Sequence, residues 1–150
     1  MASNDRLRLM AMDEEDLAIL SAHVQDAVLK VGDITWLPAE KRLVLALNRF
    51  AWEATPSGKG LSRSYERRRT ALHFERVEKV LSHGIDKSDK EAVLSLLAIS
   101  FAAGEAPSGE VTLVFAGDAT LKLAVECIEA QLSDLGPAWS TPNLPRHIAS

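Results

Sequence analysis

VTLVFAGDATLKLAV, residues 111–125, decides the fold. Val111, Leu113 and Phe115 alternate along one extended run, and Leu121, Leu123 and Val125 along the next. Gly117-Asp118 lies between the runs, a dipeptide suited to a tight turn. Two half-buried strands joined by so short a turn can only pair antiparallel, because a parallel pair needs a crossover of about a dozen residues. Working outward, the same logic applies to most of the chain.

Upstream, VLSLLAISF at 93–101 places Val93, Leu97, Ile99 and Phe101 on one face, and the turn at 104–109 contains Pro107. Residues 69–83 form a long strand candidate in which Leu72 and Phe74 share one parity and Val77 and Leu81 the other. That switch near 75–77 predicts a bulge or two successive strands. Lys87-Ser88-Asp89-Lys90 reads as a polar turn. RLVLALNRFAW at 42–52 is a strand with Leu43, Leu45 and Leu47 on one side, joined through a turn at 38–41 to the short runs ITWL and VLKV. Gly32-Asp33 separates those two runs. Residues 54–64, ATPSGKGLSRS, are the clearest loop.

The ends differ from the middle. Leu7 and Leu9 share one face of a first strand over 6–12, and Asp13 then suits a helix N-cap, with Glu14, Glu15 and Asp16 in the first turn. Leu17, Leu20 and Val24 continue at helical spacing, predicting a helix over 14–25. At the other end Ile128, Leu132 and Leu135 fall at i, i+4 and i+7, and Gly136-Pro137 follows. That pattern predicts a closing helix over 126–135. The expected fold class is therefore α+β. It is one domain over 1–139 with a loose tail at 140–150, having about seven mostly antiparallel strands in a bent sheet or partly open barrel. One early helix and one C-terminal helix complete it. The outline is that of a pleckstrin-homology-like barrel in topology alone, and the early helix departs from it.

Composition excludes several classes. With 47% hydrophobic and 25% charged residues among 150, the chain is neither disordered nor collagen-like. No uncharged apolar run approaches the ~20 residues of a membrane helix. The single cysteine, Cys127, forbids an internal disulfide and a cysteine-cluster zinc site, and it suits a reducing, cytoplasmic setting. The opening residues lack the apolar stretch of a secretory signal.

The net charge of −4 is unevenly spread: residues 1–40 carry −5, residues 41–79 carry +6 and residues 80–150 carry −5. Within the basic middle, Arg63, Arg67, Arg68 and Arg69 surround Tyr65. Their forked donors suit phosphate or carboxylate, and the tyrosine can stack on a base. The competing reading is a solvated strand edge that resists aggregation. If Leu72 and Phe74 face inward, Arg67, Arg69 and His73 face outward.

Other motifs carry less. Ser57-Gly58-Lys59-Gly60 lacks the spacing of a phosphate loop, and His23, His73, His83 and His147 form no metal-ligand pair. Cys127 would open the closing helix, where a thiol pKa falls, yet a free cysteine is more often a small buried hydrophobe. No cofactor, metal site or catalytic residue is expected. Trp36, Trp52 and Trp139 read as core or rim residues.

LALNRFAWE at 45–53, TALHFERV at 70–77 and VECIEAQLSDLGPAW at 125–139 resemble an uncharacterised bacterial family, domain of unknown function 2948. The resemblance covers about 6–139. It implies a small, single-domain cytosolic protein and brings no catalytic or binding residues. The expected function is a non-enzymatic binding or adaptor module that presents its basic face to an anionic protein or nucleic acid. The alternative is a small enzyme whose site is built from dispersed residues such as Arg67, His73 and Glu75.

Overall fold

Apolar residues recur at every second position through most of the chain, and the backbone follows that period. A computed structural model describes residues 7–52 and 65–135. In chain order the elements are β1 (Arg8–Ala11), α1 (Glu14–His23), β2 (Val28–Lys30), β3 (Ile34–Leu37), β4 (Arg42–Trp52) and β5 (Tyr65–Phe74). They continue with β6 (Val77–His83), β7 (Val93–Ala103), β8 (Gly109–Phe115), β9 (Ala119–Val125) and β10 (Ala130–Asp134). The strands form a single 10-stranded sheet in the order β1-β10-β5-β4-β2-β7-β8-β9-β6, with β3 added beside β4. Neighbours pair antiparallel throughout. The path has two ends, β1 and β6, so the sheet is open and unclosed.

The core lies on the inner face. Leu43, Leu45 and Leu47 of β4 meet Leu72 and Phe74 of β5, while Leu113, Phe115 and Leu123 of the β8–β9 hairpin are equally buried. Helix α1 covers β7 and β1, burying Leu17 and Leu20. Asp13 caps it by accepting from the Asp16 amide at 2.8 Å, and Ser21 accepts from the Ile99 amide at 2.9 Å. The turn at 38–41 ends on Lys41 in the left-handed region, φ 55°, and β4 returns along β3.

Three expectations are corrected. Among the described residues the strand count is ten rather than about seven: β10 is added where a helix was expected, and 69–83, where a bulge or two successive strands were expected, is two strands that divide at Arg76, φ 61°. The C-terminal helix expected over 126–135 is replaced at its centre by strand β10. There Ala130, Leu132 and Asp134 are buried in alternation, whereas Leu135 is 54% exposed. Partners on both sides explain the override: β10 zips between β1 and β5, matching Leu132 with Leu9 and with Leu72. Two ladders of backbone hydrogen bonds outweigh a weak local helical period. In β7, a register shift between Leu96 and Ala98 turns the chain over. Leu94, Leu96 and Ile99 are therefore buried, and Val93 and Leu97 face outward.

The expected loop at 54–64 and the tail at 140–150 lie outside the described residues.

Candidate functional site

Three adjacent strands end their inward stripe in a polar residue. Leu43, Leu45 and Leu47 lead to Arg49 on β4; Phe74 and Leu72 lead to Thr70 on β5; Ala130 and Leu132 lead to Asp134 on β10. The Asp134 side chain is fully buried, and Arg49 grips it with two parallel hydrogen bonds, Nε to Oδ1 at 3.0 Å and Nη2 to Oδ2 at 2.9 Å. The Thr70 hydroxyl donates to Oδ1 at 2.8 Å, and the Leu7 amide to Oδ2 at 2.8 Å. Arg68 places Nη1 3.7 Å from the same Oδ2. Burial alone would raise the Asp134 carboxyl, but Arg49, the Leu7 amide and Thr70 together hold it below the ordinary carboxylate value. This cluster stitches β1, β4, β5 and β10 together. Each of the three segments that carry the family resemblance supplies one of its members: Arg49, Thr70 and Asp134.

Of the four arginines singled out by sequence, the side chains of two, Arg68 and Arg69, are described, and they point to opposite sides of β5. Arg63 lies outside the described residues. Arg67 stands opposite Phe50 in the β4–β5 register, and its side chain lies outside the description. Arg68 faces the buried Asp134. Arg69 points to the other side of β5, with Nη2 3.6 Å from Asp33 and Nη1 3.4 Å from Asn48. Among the dispersed residues of the alternative enzyme reading, Glu75 accepts two hydrogen bonds from Arg42 Nε at 3.1 and 2.9 Å. His73 is held below the ordinary imidazole pKa, chiefly by burial and secondarily by Arg42, against an opposing pull from Glu75. His23 Nδ1 lies 3.0 Å from the Ile19 carbonyl. No group of three or more metal-ligating side chains occurs among the described residues. Cys127 is half-buried and, with β10 following it, does not open a helix.

A cleft that sequence reading missed lies between β3 and β6. Strand β3 pairs with β4, and β6 with β9; their other edges border a cavity of about 250 Å³. Ile34 and Trp36 line it from β3, Val80 and Ser82 from β6, with Leu43 and Leu121 behind them. Lys87 and Lys90 complete the wall. Both lysines are exposed, and a lysine can lay its stem along apolar surface while its ammonium stays in water. Among the described residues neither makes an ion pair. Every polar side chain in the wall carries a hydrogen-bond donor: the Trp36 indole, the Ser82 hydroxyl and the two ammonium groups. Among the described residues no carboxylate lines it. A second depression has the opposite character, with Asp13, Glu14 and Glu15 beside Met12, Phe101 and Cys127. Helix capping by Asp13 already accounts for part of that acidity.

No helix among the described residues is long and apolar enough to cross a membrane. Fold and cleft together define a single-domain, open antiparallel β-sheet protein with, among the described residues, one α-helix and a donor-lined opening between two strand edges. The chain belongs to the family described as protein of unknown function (DUF2948), whose profile matches residues 7–147. No curated protein and no solved structure matches it.

Proposed function

We propose that this protein is a cytoplasmic, non-enzymatic binding module of bacterial cells, and that it holds an anionic partner at the cleft between β3 and β6. One observation carries the reading: a cleft walled mostly by apolar side chains in which, among the described residues, every polar side chain carries a donor, two of them exposed lysines, and no carboxylate takes part. A concave apolar site with a few convergent polar groups is the usual form of a ligand site. The basic character first read at Arg63, Arg67, Arg68 and Arg69 is better used here, because Arg68 and Arg69 already face Asp134 and Asp33. The non-enzymatic reading draws support from the commitment of the ionisable groups to structural partners, Asp134 to Arg49 and Glu75 to Arg42. The lone cysteine suits the cytoplasm.

The test uses anilinonaphthalene sulfonate, an apolar body with one negative charge. Its fluorescence should rise on binding the native chain, and the rise should weaken as salt is added. The double change Lys87→Glu with Lys90→Glu should remove most of the rise while leaving the unfolding midpoint nearly unchanged. Equal fluorescence from wild type and double variant would refute an anion-binding cleft.

A further inference from the structure

We infer that the ligand of this cleft is a small amphipathic carboxylate rather than a polyanion; the inference rests on the anion-binding reading above and narrows it to one chemical class. Size gives the first constraint. At about 30 Å³ per water-sized volume, a cavity of about 250 Å³ takes an apolar body of about eight non-hydrogen atoms. The wall matches such a body, with Trp36 and Ile34 on one side and Val80 on the other.

Charge gives the second constraint. Lys87 and Lys90 alternate with Asp86, Asp89 and Glu91, so this segment has no excess of positive charge. Glu91 is already bound by Lys30 at 2.9 Å, and Asp86 accepts from the Ser88 amide and hydroxyl at 3.0 and 2.7 Å. A long polyanion laid across this loop would meet three carboxylates. One compact head group at the mouth would meet the two ammonium groups, with the Ser82 hydroxyl in the wall below. Lysine is a compact point charge, and two of them beside one cleft suit a single compact anionic head. The ligand therefore enters tail first from between the two strand edges and leaves its carboxylate at the lysines.

The experiment titrates the isotope-labelled full chain by NMR with octanoate, 1-octanol and octylamine, and separately with heparin. Octanoate should move the amides of Val31, Ile34, Ser82 and Ile85, and bind roughly tenfold tighter than octanol, as two partly exposed ion pairs allow. Octylamine should bind more weakly than octanol. Lys87→Gln with Lys90→Gln should reduce octanoate to the level of octanol, the unchanged remainder of the spectrum reporting an intact fold. Equal binding of octanoate and octanol by the wild type overturns the carboxylate. Movement of the cleft amides by heparin and not by octanoate overturns the ligand class and leaves the anion-binding reading standing. If neither moves them, both fall.

Discussion

Arg49 and Asp134 stand 85 positions apart and meet in a bidentate ion pair at the end of the core, with side-chain exposures of 8% and 0%. Such geometry fixes direction as well as distance, since the guanidinium fork and the carboxylate must be coplanar. The pair thereby sets the register of β4 and β10 across the intervening β5.

Removing one partner should be costly. Asp134→Asn leaves the buried Arg49 guanidinium without its counter-charge, and breaking a buried pair in this way costs about 3–5 kcal/mol. Urea unfolding should show the loss as a lower midpoint with little change in slope. A loss below about 1 kcal/mol would mean that water reaches the cluster.

Acid should act through the same carboxyl. Its folded pKa lies below the unfolded value of about 3.9, so below that point the unfolded chain binds more protons. The stability it contributes is present above about pH 4 and is lost as pH falls through the folded pKa. Asp134→Asn should flatten this acid limb, and melting between pH 5 and pH 2 measures it.

His73 should give a second, milder slope. Its pKa is lowered on folding, so stability falls as pH drops below about 6.5 and towards the folded value. His73→Gln should erase the dependence between pH 7 and 5 and leave the acid limb intact. An unchanged slope in the variant would assign it to other groups.

Strand and helix make opposite forecasts for residues 128–135. Leu132→Ala should cost about 2–5 kcal/mol, because the side chain is buried on β10. Leu135→Ala should cost less than about 0.5 kcal/mol, because Leu135 is exposed. Comparable losses at both positions would restore the helical stripe.

Gly109 faces its partner strand too closely for a side chain. A Cβ there would come within 2.5 Å of the Ala102 carbonyl oxygen and 2.4 Å of Phe101 Cζ. The ring end can move, but the backbone oxygen is fixed by the β7–β8 pairing, so Gly109→Ala should cost about 1–3 kcal/mol. Thermal unfolding tests this, and a neutral result would show that β8 can shift.

Much of this architecture is legible in the residues themselves. The 111–125 hairpin, the Asp13 cap, the 38–41 turn and the inward leucines of β4 follow from period and turn chemistry, which are local. The alternation that turns Arg69 towards Asp33 turns Arg68 the other way, towards the core. What stayed hidden depends on distant partners. Ile128, Leu132 and Leu135 satisfy a helical spacing, and only the unpaired edges of β1 and β5 decide for a strand. With that segment read as a helix, Asp134 had no reason to meet Arg49. The cleft draws its wall from 31–43, 80–90 and 121, so no single stretch announces it, and Lys87 and Lys90 look like turn residues until β3 and β6 are set apart.

Strand β1 has its ladder partner at the far end of the chain: the Leu7 amide and Asp134 are 127 positions apart. During synthesis, therefore, β1 waits for β10. Until β10 has left the ribosome, the edges of β1 and β5 stay bare and the Arg49 guanidinium has no carboxylate to enter the core with. A nascent chain halted before residue 130 holds nearly all of its apolar residues and still lacks the piece that closes them in. Such late, long-range pairing makes for slow completion and a long exposure to chaperones and proteases.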